Sequence, residues 1–254
     1  MKVVRLPTAA GGDWWIVTHD LTLAQARARH LRPIHVLTFL SHHIVKSDQA
    51  RMYRMALALE DKLFAVRHHL GEFRSAVGSF GDVVYANTYV REYSEEQRII
   101  CPLEAMLGST YMALEITARM NARLNRPLPQ KFRAQSRNFG LFDFKKRPWL
   151  PRFFDVRSEL THFGSHMPVV SEGKILIEFT NPAKLEAFTQ GFHEIELEEL
   201  GSYATSLFDM LDEWAAAELK KMDAATTMDA LEEVGAGKPL KPSKVAASAI
   251  LGLL

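Results

Sequence analysis

One stretch of the chain decides the predicted fold: Pro151-Arg-Phe-Phe-Asp-Val-Arg-Ser-Glu-Leu-Thr-His-Phe-Gly164. Its apolar residues recur at spacings of three and four, which predicts a helix with one buried face. These residues are Phe153, Val156, Leu160 and Phe163. Pro151 suits the first turn of a helix, and Gly164 suits a left-handed C-cap. The pattern therefore predicts a short helix that packs against an apolar core.

Arg157 and His162 are the residues of this helix that suggest a site. Arg157 lies inside the apolar stripe, so we expect its guanidinium to face the core, where a permanent charge needs a partner. His162 lies about 140° further round an α-helix, close to its end. Together they predict an anion or phosphate site. The alternatives are a buried ion pair of Arg157 with Glu115 or Glu104, and a terminal histidine favoured by the helix dipole.

The pair Arg157-x4-His162 resembles the Arg-x(4–6)-His signature of the HEPN superfamily. Those domains are all-α, and many are metal-independent ribonucleases of toxin–antitoxin, phage-defence and RNA-processing systems. The resemblance implies that Arg157 holds a phosphate and that His162 acts as acid or base while the 2′-hydroxyl of the RNA attacks. It also implies a homodimer in which two motifs face each other. Ser158, Glu159 and Thr161 are then the expected supporting residues.

A basic block surrounds this motif. Residues 119–157 hold eleven lysines and arginines but only two aspartates, whereas residues 186–234 are acidic. A local basic block is typical of contacts with nucleic-acid phosphates. The residues predicted to contact RNA are Lys131, Arg133, Arg137, Lys145, Lys146, Arg147 and Arg152. The competing interpretation is that these cations neutralise the acidic terminal helix.

Composition narrows the class of protein. With 254 residues, 47% hydrophobic and 24% charged residues, and a net charge of +1, the chain is typical of a globular protein. Cys101 is the only cysteine, which excludes an internal disulfide and a cysteine-rich metal site. No apolar run is long enough to span a bilayer, and the N-terminus does not resemble a signal peptide. We therefore expect no membrane contact and a cytoplasmic location.

No cofactor or metal is expected from the sequence. The adjacent pair His68-His69 suggests metal ligands, and so does His42-His43. Neighbouring residues on a helix do not share a face. Surface or core histidines are therefore the prediction at these positions.

Most of the chain is predicted to be helical. Long helices are expected at 47–77, from Pro102 to about 127, and at 188–221. Lys174 to Thr180 is predicted to be a lone extended segment, and Asn181-Pro182 to start helix again. The connection 127–150 is rich in aromatic residues, so we expect it to be ordered.

The predicted fold class is all-α: a HEPN-like multi-helix bundle with a long terminal helix and a short extended segment before it. Residues 1–222 are expected to form a single domain. Within it, residues 1–20 are predicted to be an irregular N-terminal segment, in which Asp13–Thr18 is a strand or a packed turn. Residues 223–254 are predicted to be a flexible tail, because their composition is small and polar.

Two other functions stay open at this point. A non-catalytic helical interaction protein is favoured by the near-neutral charge and by Ser158, since the nucleases of the family commonly carry Asn, Asp or His there. A nucleotide-binding module would use aromatic residues of the connection, among them Phe132, Phe142 and Trp149, as a wall that stacks on a base. RNA, a second copy of the chain, and an antitoxin or other protein are thus the expected partners.

Overall fold

The computed structural model describes residues 2–7, 13–18, 34, 37, 49–79, 95–125, 127–138, 140–163, 169–171 and 173–221. Within these ranges lie five α-helices: α1 Gln49–Ser79, α2 Glu95–Leu124, α3 Phe132–Asn138, α4 Trp149–Ser158 and α5 Leu197–Lys221. Five strands accompany them: β1 Lys2–Pro7, β2 Asp13–Thr18, β3 Val169–Ser171, β4 Lys174–Phe179 and β5 Gly191–Glu196. Helix predominates, which confirms the predicted, mostly α-helical class.

The chain divides into two units, and the divisions fall inside α1 and α5. The first unit comprises residues 1–57 and 211–254, and the second comprises 58–210. In the first unit, β1 and β2 form an antiparallel hairpin, so Asp13–Thr18 is a strand. A single domain over 1–222 stays a prediction, and the predicted tail at 223–254 lies outside the described residues.

Two long helices supply much of the core of the second unit. The part of α1 in this unit buries a stripe at Leu59, Leu63, Val66 and Phe73, as its apolar spacing predicts. Helix α2 begins at Glu95, so Pro102 lies inside it and not at its first residue as expected. A proline there removes one backbone hydrogen bond from the helix.

Within α2, the segment Gln97–Leu124 is long and apolar enough by composition to cross a membrane, and it is the one such segment among the described helices. Half of its most apolar window is buried inside the structure. A core helix of a globular protein has the same character, so this segment is weak evidence for a membrane span.

A three-stranded antiparallel sheet, in the order β3-β4-β5, stands where the sequence predicted one lone extended segment. The extended segment itself is β4, which buries Ile175, Ile177 and Phe179 on one face. The predicted helix starts at Asn181 and at 188 are wrong, because residues 181–190 form an irregular loop and β5 precedes α5. Gly191 begins β5 with φ of +120°, a conformation that glycine adopts readily and that does not belong to a helix.

The connection between α2 and α4 is ordered around a buried side-chain amide. Gln135 donates to the carbonyls of Ala118, at 2.7 Å, and Pro129, and it accepts from Asn121 at 2.8 Å. Asn121 in turn accepts from Asn125 at 2.8 Å. These bonds tie α3 to the end of α2. A buried amide whose donors and acceptor all have partners fixes the path of the chain, because these hydrogen bonds offset the cost of its desolvation.

Candidate functional site

Helix α4 is buried on more than one face. Phe153 and Val156 are fully buried, and Leu160, just beyond the helix, is 8% exposed, which confirms three of the four predicted stripe positions; the side chain of Phe163 lies outside the described residues. The polar side chains of Asp155 and Glu159 are also buried. A buried polar group requires hydrogen bonds. Helix α4 must therefore meet polar partners on the sides that the stripe does not occupy.

The helix continues past Ser158 as a π-helical turn over Glu159–Phe163. Hydrogen bonds in such a turn join residue i to residue i+5, whereas an α-helix joins i to i+4. Arg157 lies in the α-helix before this turn, so the backbone direction of His162 relative to Arg157 differs from the roughly 140° of a regular α-helix. The backbone of His162 belongs to this turn, but its side chain lies outside what the structure describes, as does Gly164.

Arg157 is half-buried and lies against an aromatic ring of α2. Its guanidinium carbon is 4.3 Å from the centre of the Tyr111 ring. Arg133 of α3 lies in the same way over Phe154, at 3.3 Å, and the centres of the Tyr111 and Phe154 rings are 6.4 Å apart. Contacts of this type contribute about 0.5–2 kcal/mol each. Tyr111, Arg133, Phe154 and Arg157 are called the Tyr111 cluster below.

Glu115 and Glu104, the two carboxylates predicted as possible partners of Arg157, differ in their position and in their pKa shifts. Glu115 borders the Tyr111 cluster, because it accepts a hydrogen bond from the Tyr111 hydroxyl at 3.4 Å and pairs with Arg119 at 3.7 Å. Burial and the charge of Glu115 raise the pKa of Tyr111, and Arg157 opposes that rise. Burial raises the pKa of Glu104. An arginine partner would lower that pKa, so the Glu104 pairing is not supported.

The supporting residues of the motif have structural partners of their own. The hydroxyl of Thr161, which is exposed, donates to the carbonyl of Arg157 at 2.7 Å. Ser158 is 7% exposed. Glu159 Oε1 accepts from both the backbone N–H and the hydroxyl of Thr180, at 3.1 and 2.7 Å. Glu159 therefore joins the π turn to the end of β4.

Replacing Glu159 with alanine should lower the free energy of unfolding by about 2 kcal/mol, because two donors of Thr180 lose a buried acceptor. Glu159→Gln keeps an amide oxygen and should lose less than half as much. Urea denaturation measures both values. The matched control is Glu194→Ala, which removes an exposed carboxylate that pairs with Lys174 and should cost under about 0.5 kcal/mol. Equal losses in Glu159→Ala and Glu194→Ala would contradict the prediction.

The seven residues predicted to contact RNA differ in their exposure and in their partners. The exposed ones are Lys131, Lys145 and Lys146; Arg147 is half-buried, and the side chain of Arg137 lies outside the described residues. Arg133 pairs with Glu186, and Arg152 pairs with Glu199 at 2.6 Å. Those two arginines fit the competing interpretation, in which the basic block neutralises acidic groups.

Asp155 fixes the position of a loop, a role that the sequence analysis did not predict. Its Oδ2 accepts three consecutive backbone N–H groups, from Glu186 at 2.9 Å, Ala187 at 2.8 Å and Phe188 at 3.2 Å. Consecutive N–H groups of this kind form a concave anion site, and here the anion is a side chain of the same chain. We call residues 180–190 the anchored loop. Residues close to Asp155 in the sequence give no sign of this role, because its partners lie 31 to 33 residues away.

A second network joins α4 to α5. Arg152 donates two hydrogen bonds to Glu199, from Nε at 2.6 Å and from Nη2 at 2.9 Å. The hydroxyl of Tyr203 donates to the same carboxylate at 2.7 Å. Burial acts to raise the pKa of Glu199, but the bonds from Arg152 and Tyr203 outweigh it, and the net shift is downward. Arg152, Glu199 and Tyr203 are called the Glu199 network.

Phe188 connects the anchored loop to both the sheet and the Glu199 network. Its ring stacks on that of Phe179 at 4.4 Å, and Arg152 covers it at 4.4 Å. His193 of β5 meets both rings edge-on, and its Nε2 donates to the carbonyl of Thr189 at 2.9 Å. A carbonyl only accepts, so the neutral ring carries its proton on Nε2. This side of α4 is thus a packed structural surface.

Comparisons of the chain with models of protein families, with curated proteins and with solved structures found no match. Function is therefore inferred from α4, the π turn and the residues around them.

Proposed function

We propose that this chain is a HEPN-like, metal-independent RNA endonuclease of a toxin or defence system, acting in the cytoplasm with Arg157 and His162 as its catalytic residues. The observation that carries the proposal is the π-helical turn that contains His162 and begins two residues after Arg157. Turns of this type are frequent at functional sites. A wider turn between Arg157 and His162 changes the direction of His162 from the one that a regular α-helix would give it.

The position of Arg157 suits the binding of a phosphate. The Tyr111 ring supports one face of its guanidinium, and a guanidinium is the side-chain group best suited to two parallel hydrogen bonds with a phosphate. Arg133 brings a second positive charge into the Tyr111 cluster. The exposed lysines Lys131, Lys145 and Lys146 add positive charge along the connection before α4, which would attract the RNA backbone.

His162 would carry the proton transfer. A histidine with a pKa near neutrality removes the proton of the 2′-hydroxyl, whose oxygen attacks the adjacent phosphorus while the 5′-oxygen departs and takes up a proton. Arg157 would stabilise the charge that develops on the phosphate oxygens. In a homodimer the two motifs would face each other, so that Arg157 and His162 of both chains would line one groove for the RNA.

The test is RNA cleavage by the purified chain in the presence of EDTA. His162→Ala should reduce the rate of cleavage by about 10²- to 10⁴-fold, because it removes the acid–base group, and Arg157→Ala should also reduce it strongly. His193→Gln is the matched control: it removes a histidine of the same chain but keeps a donor for Thr189, and it should cut at the wild-type rate. Circular dichroism must show the same helix content for all four proteins.

Absence of cleavage by the wild type on several RNA pools would overturn the nuclease and leave a non-catalytic interaction protein. One observation favours that second function. Arg133 and Arg152 are engaged by Glu186 and Glu199, which leaves less of the basic block for phosphates. A nucleotide-binding module has less support, since Phe132 and Phe142 are buried against each other, with ring centres 6.1 Å apart, and do not form an open wall.

A further inference from the structure

Three potential metal ligands lie together on α1, far along the chain from the residues of α4. They are His68, His69 and Glu72, and their ligand atoms all lie within 4.8 Å of one another. His68 Nε2 is 3.3 Å from Glu72 Oε1, and His69 Nδ1 is 2.9 Å from Glu72 Oε2. The two histidines therefore reach one carboxylate, although the sequence indicated that neighbours on a helix would diverge.

The spacing of the three residues explains this convergence. Glu72 is four residues after His68 and three after His69, and both spacings place side chains next to each other on a helix surface. The two rings lie on either side of the carboxylate, with centres 5.1 Å apart. Because all three residues belong to one helix, the arrangement depends only on the local helix geometry.

We propose that His68, His69 and Glu72 form a binding site for a divalent transition metal ion, with Zn²⁺ as the ion that suits it best. Two imidazoles and a carboxylate are ligands that zinc accepts, and three protein ligands leave a further position for water or a substrate. Zinc bonds of about 2.0–2.1 Å place neighbouring ligand atoms of a tetrahedral site roughly 3.3 Å apart. The distance from His68 to Glu72 equals that separation, and the other ligand atoms, all within 4.8 Å of one another, would reach it through small rotations of the side chains.

The surroundings of the three ligands favour the binding of an ion. Glu72 and His68 are exposed, so both side chains are open to an ion from the solvent. The ring of Phe64, one turn before His68, lies parallel to the imidazole, with the two planes 2° apart. Phe64 is itself 72% exposed. An apolar ring beside the ligands would shield one side of the ion from water.

Hard cations do not fit this site. Ca²⁺ and Mg²⁺ prefer a shell of oxygen ligands, whereas imidazole suits Zn²⁺, Cu²⁺ and Ni²⁺. Metal ions bind neutral imidazoles and an ionised carboxylate, so binding of the ion would release any protons that these ligands carry. The site differs from the proposed nuclease centre in its residues and in its chemistry, because the proposed cleavage of RNA proceeds in EDTA.

Isothermal titration of the chelator-treated full chain with Zn²⁺ tests the proposal. We expect one tight Zn²⁺ per wild-type chain, and at least about a tenfold loss of affinity in His69→Ala and in Glu72→Gln. Asp61→Asn is the matched control, since it neutralises another exposed carboxylate of the same helix and should bind Zn²⁺ as the wild type does. Circular dichroism checks that every variant keeps its helix.

Thermal unfolding gives a second measurement on the same proteins. An ion that binds only the folded chain raises the Tm once its concentration exceeds the Kd. Zn²⁺ should therefore raise the Tm of the wild type and of Asp61→Asn, and much less that of His69→Ala. Equal Zn²⁺ affinity in wild type, His69→Ala and Glu72→Gln would overturn the site and assign the three side chains to surface hydrogen bonds alone.

Discussion

Replacing Asp155 with alanine is expected to lower the free energy of unfolding by about 3 kcal/mol. Asp155 is 1% exposed, and its Oδ2 accepts three consecutive N–H groups of the anchored loop. Each hydrogen bond to a charged acceptor contributes about 1.5–3 kcal/mol, but the loop lies at the surface, so water recovers part of the loss. Urea denaturation followed by circular dichroism measures the difference.

Asp155→Asn separates the hydrogen bonds from the charge. Asparagine keeps one oxygen for the three N–H groups, and its amide nitrogen would replace Oδ1, which has no hydrogen-bond partner within the described residues. We expect this variant to retain more than half of the stability that alanine loses. Asp143→Ala is the control, because its carboxylate accepts a single exposed N–H from Lys145 and should cost under about 1 kcal/mol.

A local readout distinguishes release of the anchored loop from a general loss of stability. Lys184 lies in this loop and is exposed, and trypsin cleaves exposed, loosened segments first. Asp155→Ala should therefore be cut faster at Lys184 under native conditions. Unchanged cleavage at Lys184 together with a loss below about 1 kcal/mol would show that the anchoring by Asp155 is unimportant.

Removing the carboxylate of Glu199 is the second change with a large expected effect. Glu199→Leu should lower the free energy of unfolding by about 3 kcal/mol, because the hydroxyl of Tyr203, a residue 1% exposed, loses its acceptor and Arg152 loses its counter-charge. Glu199→Gln keeps an acceptor and should lose about 1 kcal/mol at pH 7. Glu198→Gln, an exposed neighbour in the same first turn of α5, serves as the control.

The difference in stability between wild type and Glu199→Gln should change with pH in a definite direction. The folded state lowers the pKa of Glu199 below its ordinary value of 4.5, so the carboxylate stabilises the fold above about pH 4.5. That contribution is lost as the pH falls through the folded-state pKa, where the carboxylate takes up a proton. The stability gap between wild type and Glu199→Gln should therefore close below pH 4.5. A gap that stays constant from pH 7 to pH 3 would contradict the role of the charge.

Long helices could be predicted from the sequence because their signal is repeated many times. The stripes of α1 and α5 extend over several turns, and the buried residues of α5 include Leu200, Tyr203 and Leu207 as expected. Strand β5 was missed because Phe192 and Ile195 fit a helical spacing as well. In the structure Phe192 is 64% exposed and Ile195 is buried. This segment is a strand because it pairs with β4, and the local sequence pattern holds no information about that pairing.

The candidate site was predictable only in part for the same reason. The apolar stripe around Arg157 indicated that its guanidinium would face the core; in the structure this residue is half-buried and lies against Tyr111. Its contact with Tyr111 depends on how α4 lies on α2, which residue spacing alone does not fix. Asp155 and Glu199 are ordinary acidic residues in the sequence. Their roles come from partners in distant segments, so only the folded chain reveals them.

The π turn has a consequence for insertions and deletions in this part of the chain. A turn closed between residues i and i+5 contains one residue more than an α-helical turn. Deleting one residue from Glu159–Phe163 would permit a regular α-helical turn, and the residues that follow would keep nearly the same direction, because the wider turn is what absorbs the additional residue. A difference of one position in the spacing between Arg157 and His162 can thus be taken up by the width of this turn. Related chains with one residue fewer here are expected to have a regular α-helix in place of the π turn.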